Sequence, residues 1–445
     1  MAKITVDFSN CIGFIKPMHA VNNGPLAPTV RGTSNFEIYK AAGIPYARNH
    51  DASFYSGYGG EHIVDVHRIF KNFEADENDP ASYTFGPTDA YVKVTLDAGT
   101  KVFYRLGSSI EHRYKFGTYP PKDFSKWARI CEHIIRHYTE GWADGFEYDI
   151  EYWELWNEAD CRNADGSNPC WQGTEDQFIE FYSVAAAHLK ACFPQLKIGG
   201  PAFMSPWRNV FKRKFLNAIK ENNIPLDFYS FHCYAKTPDG IYQAAVEAYN
   251  SLKEVDINTE AILNEWNYVK GWSGDEWKHS IDACKGLKGS SFIVGSMCKC
   301  QYSPLDMLMF YDARPCGMCS LFETDRPWVA LKGYYPFKMF NELYTLGNAA
   351  SVSCDDNDVY IAAAKNNNNE AAILLTYFAD ETDVTSKNVT IDLKQLNSSD
   401  KINLKFYLLD KDNNCELVKE ETICNSSFEL TVELYSSYLI TINQT

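Results

Sequence analysis

The fold is decided by residues 152–160, which read YWELWNEAD. The run opens with bulky residues, as a strand buried on both faces does, and it stops on the polar pair Asn157 and Glu158. In a (β/α)8 barrel, the side chains that do chemistry lie where the strands end and open into loops. The stretch therefore predicts a barrel strand with a carboxylate, Glu158, at its carboxyl end.

The same alternation of strand and helix recurs along most of the chain. The predicted strands lie at 16–25, 44–51, 101–107, 152–160, 196–201, 226–234, 260–267 and 307–312. The predicted helices lie at 35–42, 91–98, 124–138, 176–192, 211–222, 243–255, 290–300 and 328–344. Eight strand–helix units in about 330 residues fit a (β/α)8 TIM barrel, an α/β fold.

After Gly347 the pattern changes to short strands separated by turns rich in Asn, Asp and Ser. This predicts an antiparallel β-sandwich at residues 347–445, appended to a catalytic barrel at residues 9–346. Residues 1–8 alternate apolar and polar side chains and are expected to pair with the sandwich. The sandwich is expected to pack on the barrel, and binding a glycan or capping the site are the alternatives.

Charge and hydropathy exclude several classes of partner. The net charge is −16 and there is no basic cluster, so neither nucleic acid nor an anionic membrane is an expected partner. No apolar run reaches about 18 residues, the length that spans a bilayer. The first residues alternate like a strand and lack the features of a signal peptide. A cytoplasmic protein is therefore predicted, or a secreted one if a leader has been removed.

The 14 cysteines are expected to be reduced and mostly buried, as small apolar side chains. Two groups admit another interpretation. Cys161 and Cys170 flank a loop rich in Gly and Asn and could form a disulfide outside the cytoplasm. The other group is made up of Cys298, Cys300, Cys316 and Cys319. Its C-x-C pair is a poor zinc half-site, so no metal site is predicted.

A second carboxylate ends the seventh predicted strand. Residues 263–266 read LNEW and repeat the arrangement of the fourth strand, in which Asn is followed by Glu. Strands four and seven face each other across the mouth of an eight-stranded barrel. Hydrolysis of a glycoside with retention needs two carboxyl groups about 5 Å apart, one protonated and one ionised. Glu158 and Glu265 are the candidate pair.

Neighbouring polar side chains are candidates for the pocket around this pair. His232 and Tyr234 alternate on the sixth strand and point the same way. Tyr234 is therefore expected to hydrogen-bond Glu265 and to keep it ionised. Asn157 could bind a sugar hydroxyl while Glu158 reaches the glycosidic oxygen.

The first two predicted strands also end in polar residues. Arg48 and His50 close the second strand, where they either face the pocket or form a structural ion pair. Facing the pocket, Arg48 would favour the charged form of Glu265. His19 and Asn22 are expected to point at the mouth from the first strand.

These residues resemble a known group of enzymes, the retaining glycosidases of clan A, and within them glycoside hydrolase family 39. The motifs that carry the likeness are WNE at 156–158, FHCY at 231–234, LNEW at 263–266, IKPMHAVNNGP at 15–25, RNHD at 48–51 and ELWNE at 154–158. That family holds β-xylosidases, α-L-iduronidases and relatives that act on arabinosides or galactosides. The resemblance extends over the barrel and the sandwich, and so over nearly the whole chain.

The resemblance implies roles for particular residues. Glu158 would be the acid/base and Glu265 the nucleophile. Asn157 would hold the 2-hydroxyl of the sugar, and His50 and His19 would line the subsite for the terminal sugar. The other candidate substrate contacts are Arg48, His232, Tyr234, Trp266, Tyr311 and Asp312. Arg326 is expected to form a surface salt bridge rather than to bind a sugar.

The predicted function is a retaining exo-glycoside hydrolase that releases a terminal sugar, a pentose such as xylose or arabinose, by double displacement. The alternatives are an exo-glycosidase acting on a galactoside or an iduronide, an endo-glycanase on the same barrel, and a non-catalytic carbohydrate-binding protein. Two carboxylates and water suffice for the reaction, so no metal or cofactor is expected. The expected partner is an oligosaccharide or glycoside substrate, and the resemblance also implies that a homo-oligomer can form.

Overall fold

The computed structural model describes residues 2–26, 34–51, 62–109, 117–315, 321–324, 328–368, 370–394 and 401–444. In this part of the chain, two sheets carry the architecture. One is a closed barrel of eight parallel strands, and the other is a mostly antiparallel sheet of nine strands. The barrel with an appended β-domain, as predicted from the sequence, is confirmed.

The strands follow the chain closely. They are β1 (Ala2–Phe14), β2 (Ala20–Asn22), β3 (Tyr46–Asn49), β4 (Lys101–Leu106), β5 (Tyr152–Leu155), β6 (Lys197–Phe203), β7 (Phe228–Ala235), β8 (Glu260–Tyr268), β9 (Met307–Phe310), β10 (Asn348–Cys354), β11 (Val359–Lys365), β12 (Glu370–Tyr377), β13 (Ser386–Lys394), β14 (Ile402–Leu409), β15 (Asn414–Ile423), β16 (Ser427–Glu433) and β17 (Ser437–Gln444). Strands β2 to β9 form the barrel in chain order, and β9 closes the ring by pairing with β2.

Helices alternate with the barrel strands. They are α1 (Phe36–Lys40), α2 (Val66–Ile69), α3 (Gly86–Asp97), α4 (Phe124–Thr139), α5 (Glu175–Cys192), α6 (Val210–Glu221), α7 (Pro238–Glu254), α8 (Gly274–Lys285), α9 (Leu287–Gln301) and α10 (Tyr335–Leu346). Short 3-10 turns lie at Pro80–Ser82 and Lys332–Tyr334. None of these described helices is both long enough and apolar enough to cross a bilayer.

The sequence explains why several of these elements begin where they do. At the start of α5, Thr174 and Gln177 form a capping box, which satisfies amides at the helix N-terminus. The helix α10 begins at Tyr335 and not at 328, with Pro336 in its first turn, where a missing amide costs least. The helix α8 was not predicted. The first barrel strand is also shorter than predicted, because a turn at Met18 precedes Ala20.

The nine-stranded sheet has the order β15-β14-β17-β12-β11-β10-β1-β13-β16. Its first strand, β1, runs on to Phe14 instead of ending at residue 8; it pairs antiparallel with β10 and parallel with β13. The sheet curls over itself, since Phe406 of β14 contacts Phe428 of β16 with ring centroids 5.7 Å apart. The apolar side chains enclosed between its two halves form a core of their own.

This sheet packs on the side of the barrel formed by α9 and α10. Ser291 of α9 hydrogen-bonds Thr376 of β12 at 2.7 Å in a buried contact. Asp380, which follows β12, accepts a hydrogen bond of 2.6 Å from Tyr268 at the end of β8 and pairs with Lys288 at 2.7 Å. The end of the strand that carries Glu265 is thereby tied to the appended domain.

Candidate active site

The turn after β5 positions Glu158 at the carboxyl end of the barrel. Trp156 and Glu158 have φ angles of 75° and 48°, a left-handed backbone that is uncommon outside glycine. Two hydrogen bonds to the neighbouring strands hold this turn. The Trp156 amide donates to the Leu106 carbonyl at 2.7 Å, and the Glu158 amide donates to the Ala202 carbonyl at 2.8 Å. The side chain of Glu158 is therefore held at the mouth, where it is 15% exposed.

A bulge in β8 brings Glu265 into the same space. The register between β7 and β8 shifts just before His232, which lies opposite Glu265, so Asn264 is an extra residue in β8. Asn264 and Glu265 both point into the barrel. The Asn264 amide donates to Glu154 at 2.6 Å, and Glu265 accepts from Arg48 at 2.7 Å.

The two candidate carboxylates approach each other closely. One carboxylate oxygen of Glu158, one of Glu265 and a ring nitrogen of His232 all lie within 4.8 Å of one another. Nδ1 of His232 is 2.7 Å from Oε1 of Glu158 and 3.5 Å from Oε2 of Glu265. Because the three side chains are almost wholly buried, each charge acts strongly on the others.

Arg48 lies beneath this pair and is fully buried. Its Nη1 donates to Oε1 of Glu265 at 2.7 Å, and its Nε donates to Oε2 of Glu154 at 2.6 Å. It also donates to Asn157 at 2.8 Å and to Asn22 at 3.1 Å. Both interpretations of the sequence apply, since Arg48 forms a structural ion pair with Glu154 and contacts the pocket through Glu265.

Glu154 is the buried anchor of this arrangement. The Ser230 hydroxyl and the Asn264 amide both donate to its Oε1 at 2.6 Å, while Arg48 occupies Oε2. Both oxygens are thus paired, as a buried carboxylate requires. Glu154 therefore supports the site from inside the barrel and does not reach the mouth.

Besides Arg48, the side chains of Tyr234 and His50 lie close to the carboxylate of Glu265. The Tyr234 hydroxyl donates to Oε2 at 3.0 Å, so Tyr234 and Arg48 together hold both of its oxygens. Nε2 of His50 lies 3.4 Å from Oε1. Burial lowers the pKa of His50 well below its usual range, so its imidazole is neutral. Because Arg105 donates to Nδ1 of His50 at 3.0 Å, the proton of His50 is on Nε2, which lies between the carboxylates of Asp51, at 3.3 Å, and Glu265.

Their environments raise the pKa values of Glu158 and Glu265 to different extents. Burial raises the pKa of Glu158 to about 8, and the charge of Asp160 acts in the same direction. Burial also raises the pKa of Glu265, to about 7, against the opposing charge of Arg48. Of the two carboxyl groups, Glu158 has the more strongly raised pKa. Burial lowers the pKa of His232, so this imidazole is neutral.

The family of the chain follows from its sequence. The sequence model of "Glycosyl hydrolases family 39" matches residues 2–271, which is more than half of the chain. The chain belongs to this family. The resemblance inferred from its motifs is thereby confirmed.

Similar proteins include two beta-xylosidases. The one from Geobacillus stearothermophilus is 27% identical over 215 residues, which cover 45% of this chain and 40% of that protein. The one from Caldicellulosiruptor saccharolyticus is 27% identical over 163 residues, 34% of this chain and 31% of that protein. The matched stretches thus span less than half the length of either relative. A glucosidase structure from Croceicoccus marinus shares the fold over 100% of this chain and 99% of that one, with a TM-score of 0.79 and 21% identity.

The prediction that His19 lines the sugar subsite of this family 39 chain is wrong. His19 precedes β2, so it lies at the amino end of the barrel, opposite the end that carries the two carboxylates. Its ring packs between Phe340 and Tyr344, with centroids 5.3 and 5.0 Å away. Burial lowers its pKa to about 3. His19 is therefore a neutral core residue.

Trp266 is also not a substrate contact. Because the bulge turns both Asn264 and Glu265 into the barrel, Trp266 points outward, into the layer between strands and helices. It is fully buried there against Phe292 of α9 and Phe310 of β9, with centroids 5.9 and 5.3 Å away.

The two candidates after β9 have different positions. Tyr311 lies at the mouth and its hydroxyl donates to Asp51, whose carboxylate is also close to His50. Asp312 is wholly buried, and both of its oxygens accept hydrogen bonds from Arg314. Asp312 consequently holds Arg314 in place and does not reach a sugar, contrary to the prediction.

An exposed aromatic residue at the mouth was missed from the sequence. Trp272, in the loop after β8, is 60% exposed. Its ring meets Tyr234 edge-on with centroids 5.0 Å apart, and it stacks on Trp277 at 5.4 Å. The signal available in the sequence was a tryptophan shortly after a strand that ends on a carboxylate, but exposure of a loop residue depends on a fold that the pattern does not specify.

In the described residues, three groups of three side chains could hold a metal ion. They are Glu158 with His232 and Glu265, Glu158 with Cys161 and Cys170, and Glu132 with His188 and Cys192. Cys161 and Cys170 are free thiols near each other and not a disulfide. Cys298 and Cys300 are buried in α9, whereas Cys316, Cys319 and Arg326 lie outside the described residues.

Proposed function

We propose that this family 39 chain is a retaining exo-glycoside hydrolase, with Glu158 as acid/base and Glu265 as nucleophile. The observation that supports this best is the close approach of the two carboxylates, since one oxygen of Glu158 lies within 4.8 Å of one oxygen of Glu265. Retaining glycosidases use carboxyl groups about 5–5.5 Å apart, whereas inverting ones leave about 6.5–9.5 Å for a water molecule. The substrate is a glycoside or oligosaccharide.

In the first displacement, a carboxylate oxygen of Glu265 attacks the anomeric carbon and Glu158 gives its proton to the glycosidic oxygen. The higher pKa of Glu158 supports this division, because it keeps the proton on Glu158 while Glu265 is ionised. Arg48 and Tyr234 hold the attacking carboxylate, at 2.7 and 3.0 Å. Expulsion of the leaving group produces a glycosyl ester on Glu265.

In the second displacement, Glu158 takes a proton from water, which attacks the glycosyl ester and releases the sugar with its original configuration. His232 supports both steps. In the tautomer with a proton on Nδ1, it donates to Oε1 of Glu158 at 2.7 Å and leaves Oε2 to exchange the catalytic proton.

Three side chains are proposed to bind the sugar. Asn157 accepts from Arg48 through its oxygen, which turns its amide group to the 2-hydroxyl. His50 carries its proton on Nε2, near Glu265, and is a donor to a neighbouring hydroxyl. The exposed ring of Trp272 beside Tyr234 offers a flat apolar surface for a further sugar ring. A pentose, xylose above all, is the proposed terminal sugar, since two similar proteins are beta-xylosidases.

Proton NMR of the first-formed sugar is the experiment that tests the mechanism. With an aryl β-xyloside, we expect the β-anomer to form first and then to mutarotate. An α-anomer at early times would rule out double displacement. The screen for the sugar uses aryl β-xyloside, α-L-arabinofuranoside, β-galactoside and α-L-iduronide, and no turnover of any of them would count against a pentose exo-glycosidase.

Azide separates the roles of the two carboxylates. Glu158→Ala should still hydrolyse aryl xylosides with good leaving groups, and azide should restore its rate by attacking the glycosyl ester, with a β-glycosyl azide as product. Glu265→Ala should lose turnover and gain no β-glycosyl azide. Wild-type protein with azide is the control. The same response to azide from both variants would contradict the assignment of Glu158 as acid/base and Glu265 as nucleophile.

A further inference from the structure

Two thiols lie beside Glu158 and take no part in the proposed hydrolysis. Sγ of Cys170 is 3.9 Å from Oε2 of Glu158. Sγ of Cys161, Sγ of Cys170 and a carboxylate oxygen of Glu158 all lie within 4.8 Å of one another. In a tetrahedral zinc site with Zn–S of about 2.3 Å and Zn–O of about 2.1 Å, a sulfur and an oxygen ligand lie roughly 3.6 Å apart. The observed separation is therefore close to that of two ligands of one ion.

We propose that Cys161, Cys170 and Glu158 form a binding site for a thiophilic divalent cation, zinc or cadmium, and that the bound ion inhibits hydrolysis by occupying the acid/base carboxylate. Three protein ligands leave the fourth position to water. The inhibition rests on the proposed function, whereas the binding does not.

The backbone holds the ligands near these positions. The Cys161 amide donates to the carbonyl of Glu158 itself at 2.9 Å. The Cys170 amide donates to the Asn168 side chain at 2.8 Å, and the indole of Trp156 donates to the Cys170 carbonyl at 2.9 Å. Because these contacts are made by backbone groups, the two thiols remain available as ligands while their main chain is fixed.

Binding of the metal ion releases protons from its ligands. A hydrogen bond with Cys161, together with burial, raises the pKa of Cys170, so without metal this group is a thiol. On binding, each sulfur gives its proton to solvent and donates an electron pair to the ion, and Glu158 binds as a carboxylate. Cys161 is half-buried, whereas Cys170 is buried. Two sulfur ligands select zinc or cadmium over magnesium and calcium.

The group made up of Glu132, His188 and Cys192 serves as a control for the metal site, because its carboxylate is already paired. Glu132 accepts from Arg136 at 2.9 Å through one oxygen and lies 2.7 Å from His188 through the other. A guanidinium already neutralises that carboxylate and repels a cation. Substitution of Cys192, the thiol of this group, should therefore leave the binding of metal unchanged.

The test titrates the full-length, reduced chain with cadmium in the absence of air and follows the ultraviolet thiolate-to-cadmium charge-transfer band. A background with Cys11→Ser, Cys424→Ser, Cys316→Ser and Cys319→Ser removes the two exposed thiols among the described residues and the C-x-x-C pair at 316–319. We expect one cadmium per chain. Cys161→Ser and Cys170→Ser should each weaken binding by at least about tenfold, and Cys192→Ser should not. Glu158→Gln should keep the band and bind more weakly.

The second readout is the rate of hydrolysis of an aryl glycoside at increasing cadmium concentration, expressed relative to the metal-free rate of each variant. Variants that bind cadmium more weakly, as judged by the charge-transfer band, should also be inhibited less. A band that survives Cys161→Ser and Cys170→Ser unchanged, or no band in the reduced protein, would overturn the metal site. Chains that bind cadmium as expected but hydrolyse none of the glycosides would instead count against the proposed function.

Discussion

Nη1 of Arg48 lies 2.7 Å from Oε1 of Glu265, and the guanidinium is fully buried. On its other side, the same group donates through Nε to Glu154 at 2.6 Å. One cation thus lies between two carboxylates, one that anchors the barrel interior and one at its mouth. Arg48 therefore contributes to both the stability of the fold and the proposed reaction, because its removal would leave both carboxylates buried without their charged partner.

Arg48→Met is therefore expected to damage both stability and activity. Removal of one partner of a buried ion pair costs about 3–5 kcal/mol, since the remaining charge stays unpaired. The free energy of unfolding from urea titrations gives the first effect. The value of kcat/KM for an aryl xyloside, measured under conditions where the variant is folded, gives the second.

Arg136→Met is the matched control, because Arg136 pairs with Glu132 and Glu140 at a side chain that is 32% exposed. Its loss should change the free energy of unfolding by no more than about 1 kcal/mol and leave kcat/KM unchanged. Equal stability losses in both variants would contradict the central position given to Arg48. If Arg48→Met does not fold, Arg48→Lys keeps the charge but not the four hydrogen bonds, and should be folded with reduced kcat/KM.

Tyr234→Phe isolates the hydrogen bond to the proposed nucleophile. The lost hydroxyl donates to Oε2 of Glu265 at 3.0 Å. Hydrogen bonds to charged groups contribute about 1.5–3 kcal/mol, so kcat/KM should fall roughly 10- to 150-fold, and the acidic limb of its pH profile should move to higher pH. Tyr302→Phe is the control, because the Tyr302 hydroxyl donates to the Ala350 carbonyl on β10, in the appended sheet. An unmoved acidic limb would show that Tyr234 does not stabilise the charged form of Glu265.

The fold could be predicted from the sequence because parallel barrel strands leave a strong local signature. Each is an apolar run with polar residues at its end, and this pattern led to the barrel and to the positions of Glu158 and Glu265 at its mouth. The family was predicted from motifs at the same strand ends. Both of these predictions, the barrel and the family, are confirmed.

The errors have physical causes that a pattern of residue types does not contain. Strict alternation would put Asn264 and Glu265 on opposite faces, but the bulge turns both inward and sends Trp266 outward. His19 was assigned to the mouth because the first strand was predicted to be longer than Ala20–Asn22. The exposure of Trp272 and the approach of Cys170 to Glu158 depend on loop geometry.

The pH dependence of hydrolysis should be narrow and centred above neutrality. The proposed roles need Glu265 ionised and Glu158 protonated, with pKa values of about 7 and about 8 for this interacting pair. In buffer with a chelator, kcat/KM should therefore rise as Glu265 loses its proton and fall as Glu158 loses its own. For Glu158→Gln with a good leaving group, the alkaline limb should disappear. A limb that persists in this variant would assign it to another group.

The free energy of unfolding should also depend on pH, through the carboxyl group of Glu158. The pKa of Glu158 is raised from its ordinary 4.5 to about 8 in the folded protein, so across that interval the folded chain binds more protons than the unfolded chain. The free energy of unfolding contributed by Glu158 is therefore fully present below pH 4.5 and is lost as the pH rises to about 8. Relative to wild type, Glu158→Gln should gain stability between pH 5 and pH 8 in urea titrations. A constant difference would show that Glu158 ionises normally.

His19→Ala distinguishes the amino end of the barrel from its mouth. The imidazole packs between Phe340 and Tyr344, so its removal leaves a cavity and should lower the free energy of unfolding by roughly 2–4 kcal/mol. Because it precedes β2, at the end opposite the carboxylates, kcat and KM should be unchanged wherever the variant is folded. His232→Ala is the comparison, since His232 lies 2.7 Å from Glu158 and its loss should lower kcat. A rise in KM for His19→Ala at full folding would restore it to the sugar subsite.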